Sequence, residues 1–322
     1  MAGFMDANTQ NLIRTQLWSR QIKELLLDEL NGLKFVRIIS DFPDGFTINI
    51  PSIGEAETFD FTEGQAVKYN AMATGNFQFS FDNYKGSAHA ISEKFKRDSY
   101  YSSDVIAAFV PRQHRALMED VETNILAKAN AGQTASNTNT INLADHRWVG
   151  TGTYNGNPGL SIQDLSRVRY ALFKANVPLN NLCAIIDPST AFCLETQTNA
   201  VNLLTPSPMW QGVVKDGTVT GFKFRYNILG FDFYVSNYLP AISSETISGT
   251  SVTSGVCNYF FSATPGDTLP WVGAFRQMPT VYSEFNKDLQ QEEYLTVAEW
   301  GFKLYRPENM VTILTSTSVV PT

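Results

Sequence analysis

The run from Glu293 to Leu314 constrains this chain more than any other stretch. Trp300, Phe302 and Leu304 alternate there with Gly301, Lys303 and Tyr305, the period of two that a half-buried strand requires. Arg306-Pro307-Glu308-Asn309 interrupts the alternation, because a proline presets a turn dihedral and brings no amide donor to a ladder. Met310 to Leu314 is apolar and β-branched enough to form the return strand. The chain therefore ends on two strands.

Upstream, helical and strand signals succeed one another. Leu12, Leu17, Ile22, Leu25, Leu26 and Leu30 form a stripe that predicts a helix over residues 8–30, closed by Asn31-Gly32. Phe46, Ile48 and Ile50 alternate with polar residues, and Pro51 limits that strand to an edge. Gly75 to Phe81 places Phe77, Phe79 and Phe81 on one face of a second strand. The two strands read as a long hairpin with little core of its own, and such a hairpin needs a partner surface in water. Ser102-Ser103-Asp104 caps a short helix through Phe109, and Pro111 suits the first position of a longer helix ending at Ala131-Gly132. Leu117, Val121, Ile125 and Ala129 form its face.

Residues 132–159 are rich in Thr, Asn and Gly and read as loops. Gly150 to Gly156 lacks the Gly-x-Gly-x-x-Gly spacing and the strand-to-helix frame of a dinucleotide loop. Ser161 then caps a helix through Ala175 with Leu165, Val168, Leu172 and Phe173 on one side. Leu182 to Ile186 is a buried strand stopped by Asp187-Pro188, with a helix from Ser189 or Thr190 to Gln197 behind it. Residues 221–235 read as a hairpin turning at Gly230, residues 242–255 as a loop, and Asn258 to Phe261 as a further strand. The fold class is α+β.

The order of elements, together with the ending Glu-Trp-Gly-Phe-Lys-Leu-Tyr-Arg-Pro-Glu-Asn followed by Val-Thr-Ile-Leu-Thr, resembles the major capsid proteins of tailed phages. The resemblance implies their Hong Kong 97-like fold. It divides the chain into an N-terminal arm (1–45), an extended loop and its return (46–100), a peripheral domain with a long spine helix (101–150 with 275–322), and an axial α/β domain (151–274). It implies a protein that self-assembles through hexamers and pentamers into an icosahedral head enclosing double-stranded DNA. Its localisation would be the virion, after synthesis in the bacterial cytoplasm. A separate scaffolding protein, a portal and a decoration protein are the partners it suggests. Phe77, Phe79 and Phe81 would lie on a neighbouring subunit. In the phage that gives the fold its name a lysine and an asparagine of neighbouring subunits form an isopeptide bond; Lys68 or Lys85 with Asn309 would be the nominees here. An encapsulin-type shell, another phage structural protein, and a cytoplasmic α+β enzyme stand as alternatives.

Composition bears on these readings. Net charge of -7 argues against a dedicated nucleic-acid binder but is compatible with a wall around nucleic acid. Charged residues are only 17% of the chain, which fits surface buried against other chains and equally a β-rich protein. Cys183, Cys193 and Cys257 are too few for a disulfide framework. No signal peptide or membrane-spanning run is present in the sequence. His89, His114 and His146 have no second histidine four residues on, and no nucleophile elbow or phosphate loop occurs. The reading is of a non-enzymatic chain with no catalytic, metal or cofactor residues.

Overall fold

The computed structural model describes residues 30–40, 45–54, 58, 60, 62–66, 74–98, 102–196 and 227–320. The helix expected over 8–30, Lys68 and the first half of the hairpin expected over 221–235 lie outside these residues. A 3-10 turn at Gly32–Phe35 leads into β1 (Val36–Ile38), then β2 (Thr47–Ile53), β3 (Thr74–Ser80), β4 (Asn83–Ser92), α1 (Glu93–Asp98) and α2 (Ser102–Ala131). Next come β5 (Arg147–Val149), β6 (Gly152–Tyr154), β7 (Asn157–Gly159), α3 (Ile162–Lys174), β8 (Leu182–Ile186) and α4 (Pro188–Thr196). The remainder is β9 (Asn227–Ile228), β10 (Phe231–Val235), β11 (Ala241–Ile242), β12 (Glu245–Ile247), β13 (Thr250–Val252), β14 (Gly255–Ser262), β15 (Trp271–Asn286), β16 (Gln291–Leu304) and β17 (Val311–Ser316).

Two larger sheets organise these elements. One runs β1-β15-β16-β4, the other β5-β17-β14-β8-β10-β9 with β11 on β14. The second sheet is apolar on both faces, and its strands read accordingly as continuous apolar runs. In β14, Cys257, Tyr259 and Phe261 face a core shared with Leu117, Val121, Ile125 and Leu126 of α2 and with Trp271 and Trp300 of the first sheet. Phe260 faces the other way, with Ala184 and Ile186 of β8, onto Leu165, Val168 and Leu172 of α3.

The capping box at the start of α3 explains why that helix begins where it does. Ser161 Oγ accepts from Asp164 N, and Asp164 Oδ2 accepts from Ser161 N at 2.9 Å. The same carboxylate also takes the Thr151 amide at 2.9 Å and the Trp148 indole N–H at 3.1 Å, tying helix to β5. Phe173 was expected on the buried side, yet it is 68% exposed. It follows Leu172 by one residue, about 100° around a helix of 3.6 residues per turn, and so leaves the stripe.

Several expectations are corrected. The helix does not divide at Pro111: α2 is continuous over 30 residues with the proline inside it. An internal proline removes one hydrogen bond and costs about 3 kcal/mol; burial of Leu117, Val121, Ile125, Leu126 and Ala129 beyond it offsets that cost. Met310 to Leu314 is a strand but not the return partner of β16. β17 instead pairs antiparallel with β14 and parallel with β5, in the other sheet. The crossing is made at the 3-10 turn Pro307–Asn309, where Asn309 Oδ1 accepts from Ser262 N at 2.8 Å and Nδ2 donates to the Ser262 and Thr268 carbonyls. The expected boundary that placed 275–322 with the spine helix thus runs across the second sheet. Two expected loops hold hairpins: β6–β7 turns at Asn155-Gly156 and β12–β13 at Ser248-Gly249, both with positive φ at the two central residues, the geometry of type I′ turns.

Candidate assembly surface

The extended hairpin forms as β2 on β3, in register from Thr47↔Ser80 to Ile53↔Thr74. Its phenylalanines, however, pack on their own chain. Phe79 and Phe81 are 5% and 4% exposed and cluster with Val272 and Ala274 of β15, and Phe77 meets Tyr305 edge-on at 5.1 Å. Phe77, Phe79 and Phe81, expected against a neighbouring subunit, thus have a packing surface on their own chain. The reason is geometric: the base of the hairpin crosses the first sheet at Gly301. A Cβ at that position would stand 2.2 Å from the Ser80 carbonyl oxygen, so only glycine lets the two backbones meet. Lys303 Nζ then donates to the Gln78 carbonyl at 2.9 Å. Phe46, at the base, and Ile53, at the far end of the pairing, are largely exposed.

A second projecting element was not expected as such. β15 and β16 form a hairpin of 16 and 14 residues, and β4 pairs along the outer half of β16. α2 covers part of one face, where Gln113 Oε1 accepts from Thr296 Oγ1 and Gln113 Nε2 meets His89 Nδ1 at 2.7 Å. The rest of this ribbon leaves Met278, Val281, Tyr282, Phe285, Leu289 and Leu295 substantially exposed. Isolated exposed apolar residues are ordinary; here Tyr282 and its cross-strand partner Leu295 lie on one face of the ribbon and Val281 and Phe285 on the other, so exposed apolar side chains occur on both faces. Register shifts between Phe275 and Thr280, around Pro279, distort the free edge of β15 and discourage a further strand from pairing there. The side chains are therefore the part of the ribbon available for contact.

Reactive groups are disposed for structure. His146 is buried, and burial holds its imidazole below the ordinary value of 6.5 while Nδ1 donates to the Ala144 carbonyl at 3.0 Å. Burial pushes the Cys193 thiol up to about 11 and the Cys257 thiol up to about 12, far from a reactive thiolate. Among the described residues no group of three or more His, Cys, Asp or Glu is placed to hold a metal. Among the same residues no helix is long and apolar enough to cross a membrane. Lys85 pairs with Asp120, and the buried Asn309 spends its amide on Ser262 and Thr268. Asn309 is thus withdrawn as a crosslinking partner.

Among the described residues the deepest ion pair joins Arg147 of β5 to Glu245 of β12, with N···O distances of 2.7 and 2.8 Å. Both side chains are nearly inaccessible. Arg147 also donates to Asn130 of α2, and Glu245 accepts from Ser136 N. Burial works to raise the Glu245 carboxyl, but the Arg147 hydrogen bonds and charge, with the Ser136 amide, bring it below the usual carboxylate range.

A family model described as phage capsid protein matches residues 78–313, from the second hairpin strand to β17. The chain belongs to the phage capsid protein family. Solved structures agree on the fold. A structure from Mycobacterium phage Che8 is similar with a TM-score of 0.68 at 16% identity, covering 94% of this chain and 97% of that one. The capsid of cyanophage P-SCSP1u gives 0.69 at 15% identity over 95% and 93%. The capsid of cyanophage Pam1 gives 0.68 at 12% over 99% and 100%. No curated protein matches the chain. The capsid chain has the Hong Kong 97-like fold, and it is a major capsid protein.

Proposed function

We propose that this capsid chain assembles through hexamers and pentamers into the icosahedral head of a tailed phage, enclosing double-stranded DNA. The observation that carries the reading is the ribbon β15–β16–β4, whose Met278, Tyr282, Phe285 and Leu289 are left exposed among the described residues. For a chain of the phage capsid protein family, another copy of the same chain is the surface this reading supplies to cover them. Closed heads follow when one contact set repeats under rotational symmetry. The net charge of -7 suits a wall that holds DNA without sequence-specific binding, since a strongly basic wall would trap it. The chain is made in the bacterial cytoplasm, directed by a separate scaffolding protein, and joins a portal and a decoration protein in the virion. It performs no catalysis.

The test is electron microscopy with size-exclusion chromatography of the chain expressed alone and then with a candidate scaffold. Closed shells, tubes or hexameric sheets support the reading. Particles of one or two chains under every condition would overturn it.

A further inference from the structure

We propose that Asn155 is a modification site: the folded chain deamidates there without an enzyme, replacing a neutral side-chain amide by a carboxylate. The chemistry needs an asparagine whose successor presents an unobstructed main-chain nitrogen. Glycine alone has no Cβ to crowd that nitrogen, and the chain has two Asn-Gly steps, Asn31-Gly32 and Asn155-Gly156. Asn137 and Asn139, by contrast, precede threonines, whose branched side chains crowd it.

The fold treats the two steps in opposite ways. Asn31 is 2% exposed, and its amide donates to Glu122 Oε1 at 3.1 Å. The Gly32 amide donates to Oε1 and Oε2 of the same carboxylate, each at 2.8 Å. Asn31 Oδ1 accepts from Lys34 Nζ at 2.9 Å. A Cβ on Gly32 would stand 2.9 Å from Glu122 Oε2, so closely does that carboxylate cover it. Nucleophile and target are both held at this step, away from water.

Asn155-Gly156 is the tip of β6–β7. Both residues are exposed, with φ of 49° and 75°, and a Cβ on Gly156 would meet nothing within 4 Å. In a type I′ turn the hairpin's hydrogen bonds join the residues on either side, so the Gly156 amide is not consumed by them. The sheet beneath has only two strands, paired from Gly152↔Gly159 to Tyr154↔Asn157. A pair this short opens readily, which lets the Asn155 side chain turn onto the Gly156 nitrogen.

The step balances with water alone. Gly156 N, having lost its proton to hydroxide, bonds to Asn155 Cγ. The Cγ–Nδ2 bond breaks, and ammonia leaves with a proton from water, giving a cyclic imide. Water then opens the ring. Cleavage of the new N–Cγ bond leaves aspartate; cleavage at the main-chain carbonyl leaves isoaspartate, with the Cβ of residue 155 now part of the backbone. Asn157 Nδ2 donates to the Asn155 and Ser318 carbonyls at 3.0 and 3.1 Å. The lengthened backbone displaces that amide, and with it the tie from the hairpin to the 3-10 turn Thr317–Val319.

Ageing the purified full chain in warm, mildly alkaline buffer tests this, read by peptide mass after digestion. The Asn155 peptide should show exchange of NH2 for OH at least about tenfold faster than the Asn31 peptide, because only the latter must first pay a cost of opening. In guanidinium the two rates should converge; a ratio that persisted there would belong to local sequence and would overturn the proposal. Asn155→Asp should elute from an anion exchanger where the aged parent arrives, and shift no further over the same time. An Asn155 that stays intact in the folded chain, equal rates at the two steps in that chain, or a variant that drifts as fast as the parent would each overturn it as well.

Discussion

Arg147 and Glu245 show what a buried charge does in this chain: each has lost its water, and Arg147 holds Glu245 and Asn130 while Glu245 holds Arg147 and the Ser136 amide. Removing one partner leaves the other charge uncompensated, which in buried pairs costs about 3–5 kcal/mol. Arg147→Met should therefore destabilise the subunit by that amount in denaturant unfolding, whereas Arg147→Met/Glu245→Leu should recover most of it. A double variant as weak as the single one would show that Arg147 matters for its packing and not its charge. The pair also gives acid sensitivity with a definite sign. Glu245 has a folded value below its ordinary 4.5, so its contribution is present above 4.5 and lost as pH falls through the folded value. His146, held below 6.5, is neutral in the fold and costs stability as pH falls below that value. Glu122 runs the other way. Burial raises it against the Gly32 and Asn31 amides, so the fold holds that proton more tightly than the unfolded chain does. Melting the double variant beside the parent from pH 7 to pH 4 should show the parent alone losing the step near and below 4.5. Glu122→Gln should steepen the overall acid loss by removing the opposing contribution. Parallel curves for all three proteins would refute these assignments.

At the scale of elements, the extended hairpin is attached by its base. Phe79 and Phe81 bury against Val272 and Ala274, and Gly301 admits the crossing backbone. Phe81→Ser should then cost the dissociated subunit about 3–5 kcal/mol, the range for truncating a buried aromatic. Gly301→Ala should loosen the hairpin and speed protease cleavage between residues 54 and 73. A Phe81→Ser subunit with parental stability that failed only in assembly would restore these rings to a neighbour. The sequence made the hairpin visible through alternation, but alternation reports that a face is covered and not by which chain. The same limit explains β17. Val311 to Leu314 was legible as a strand, while its pairing with β14 and β5 was not, because periodicity identifies faces and leaves partners open. Asn155-Gly156 carried a recognisable hairpin signal. Its flanking strands, of three residues each, are too short to show an alternation that would place it in a hairpin. Pro111 was read as a boundary because sequence shows the local cost of a proline and not the burial of Val121 and Ile125 that outweighs it.

For the whole molecule the question is how a chain keeps a stable body and still presents the surface that builds a shell. The two cores meeting at the second sheet answer the first part: α2 with Trp271 and Trp300 lies on one side, α3 on the other. The ribbon answers the second. Met278, Tyr282 and Phe285 are 60%, 53% and 46% exposed, so changing them to serine removes little from the body, within about 0.5 kcal/mol each. In a contact between copies the same three side chains would contribute about 1–2 kcal/mol each once covered. Their loss would weaken each contact by about 3–6 kcal/mol, or roughly a hundredfold to ten-thousandfold in its equilibrium constant. Shell formation multiplies that penalty over every neighbour a subunit has. Met278→Ser/Tyr282→Ser/Phe285→Ser should thus melt like the parent as a dissociated subunit, yet require at least about a hundredfold higher concentration before light scattering detects assembly. Shells appearing at the parental concentration would mean that the ribbon faces solvent in the head and that the contacts lie elsewhere on the chain.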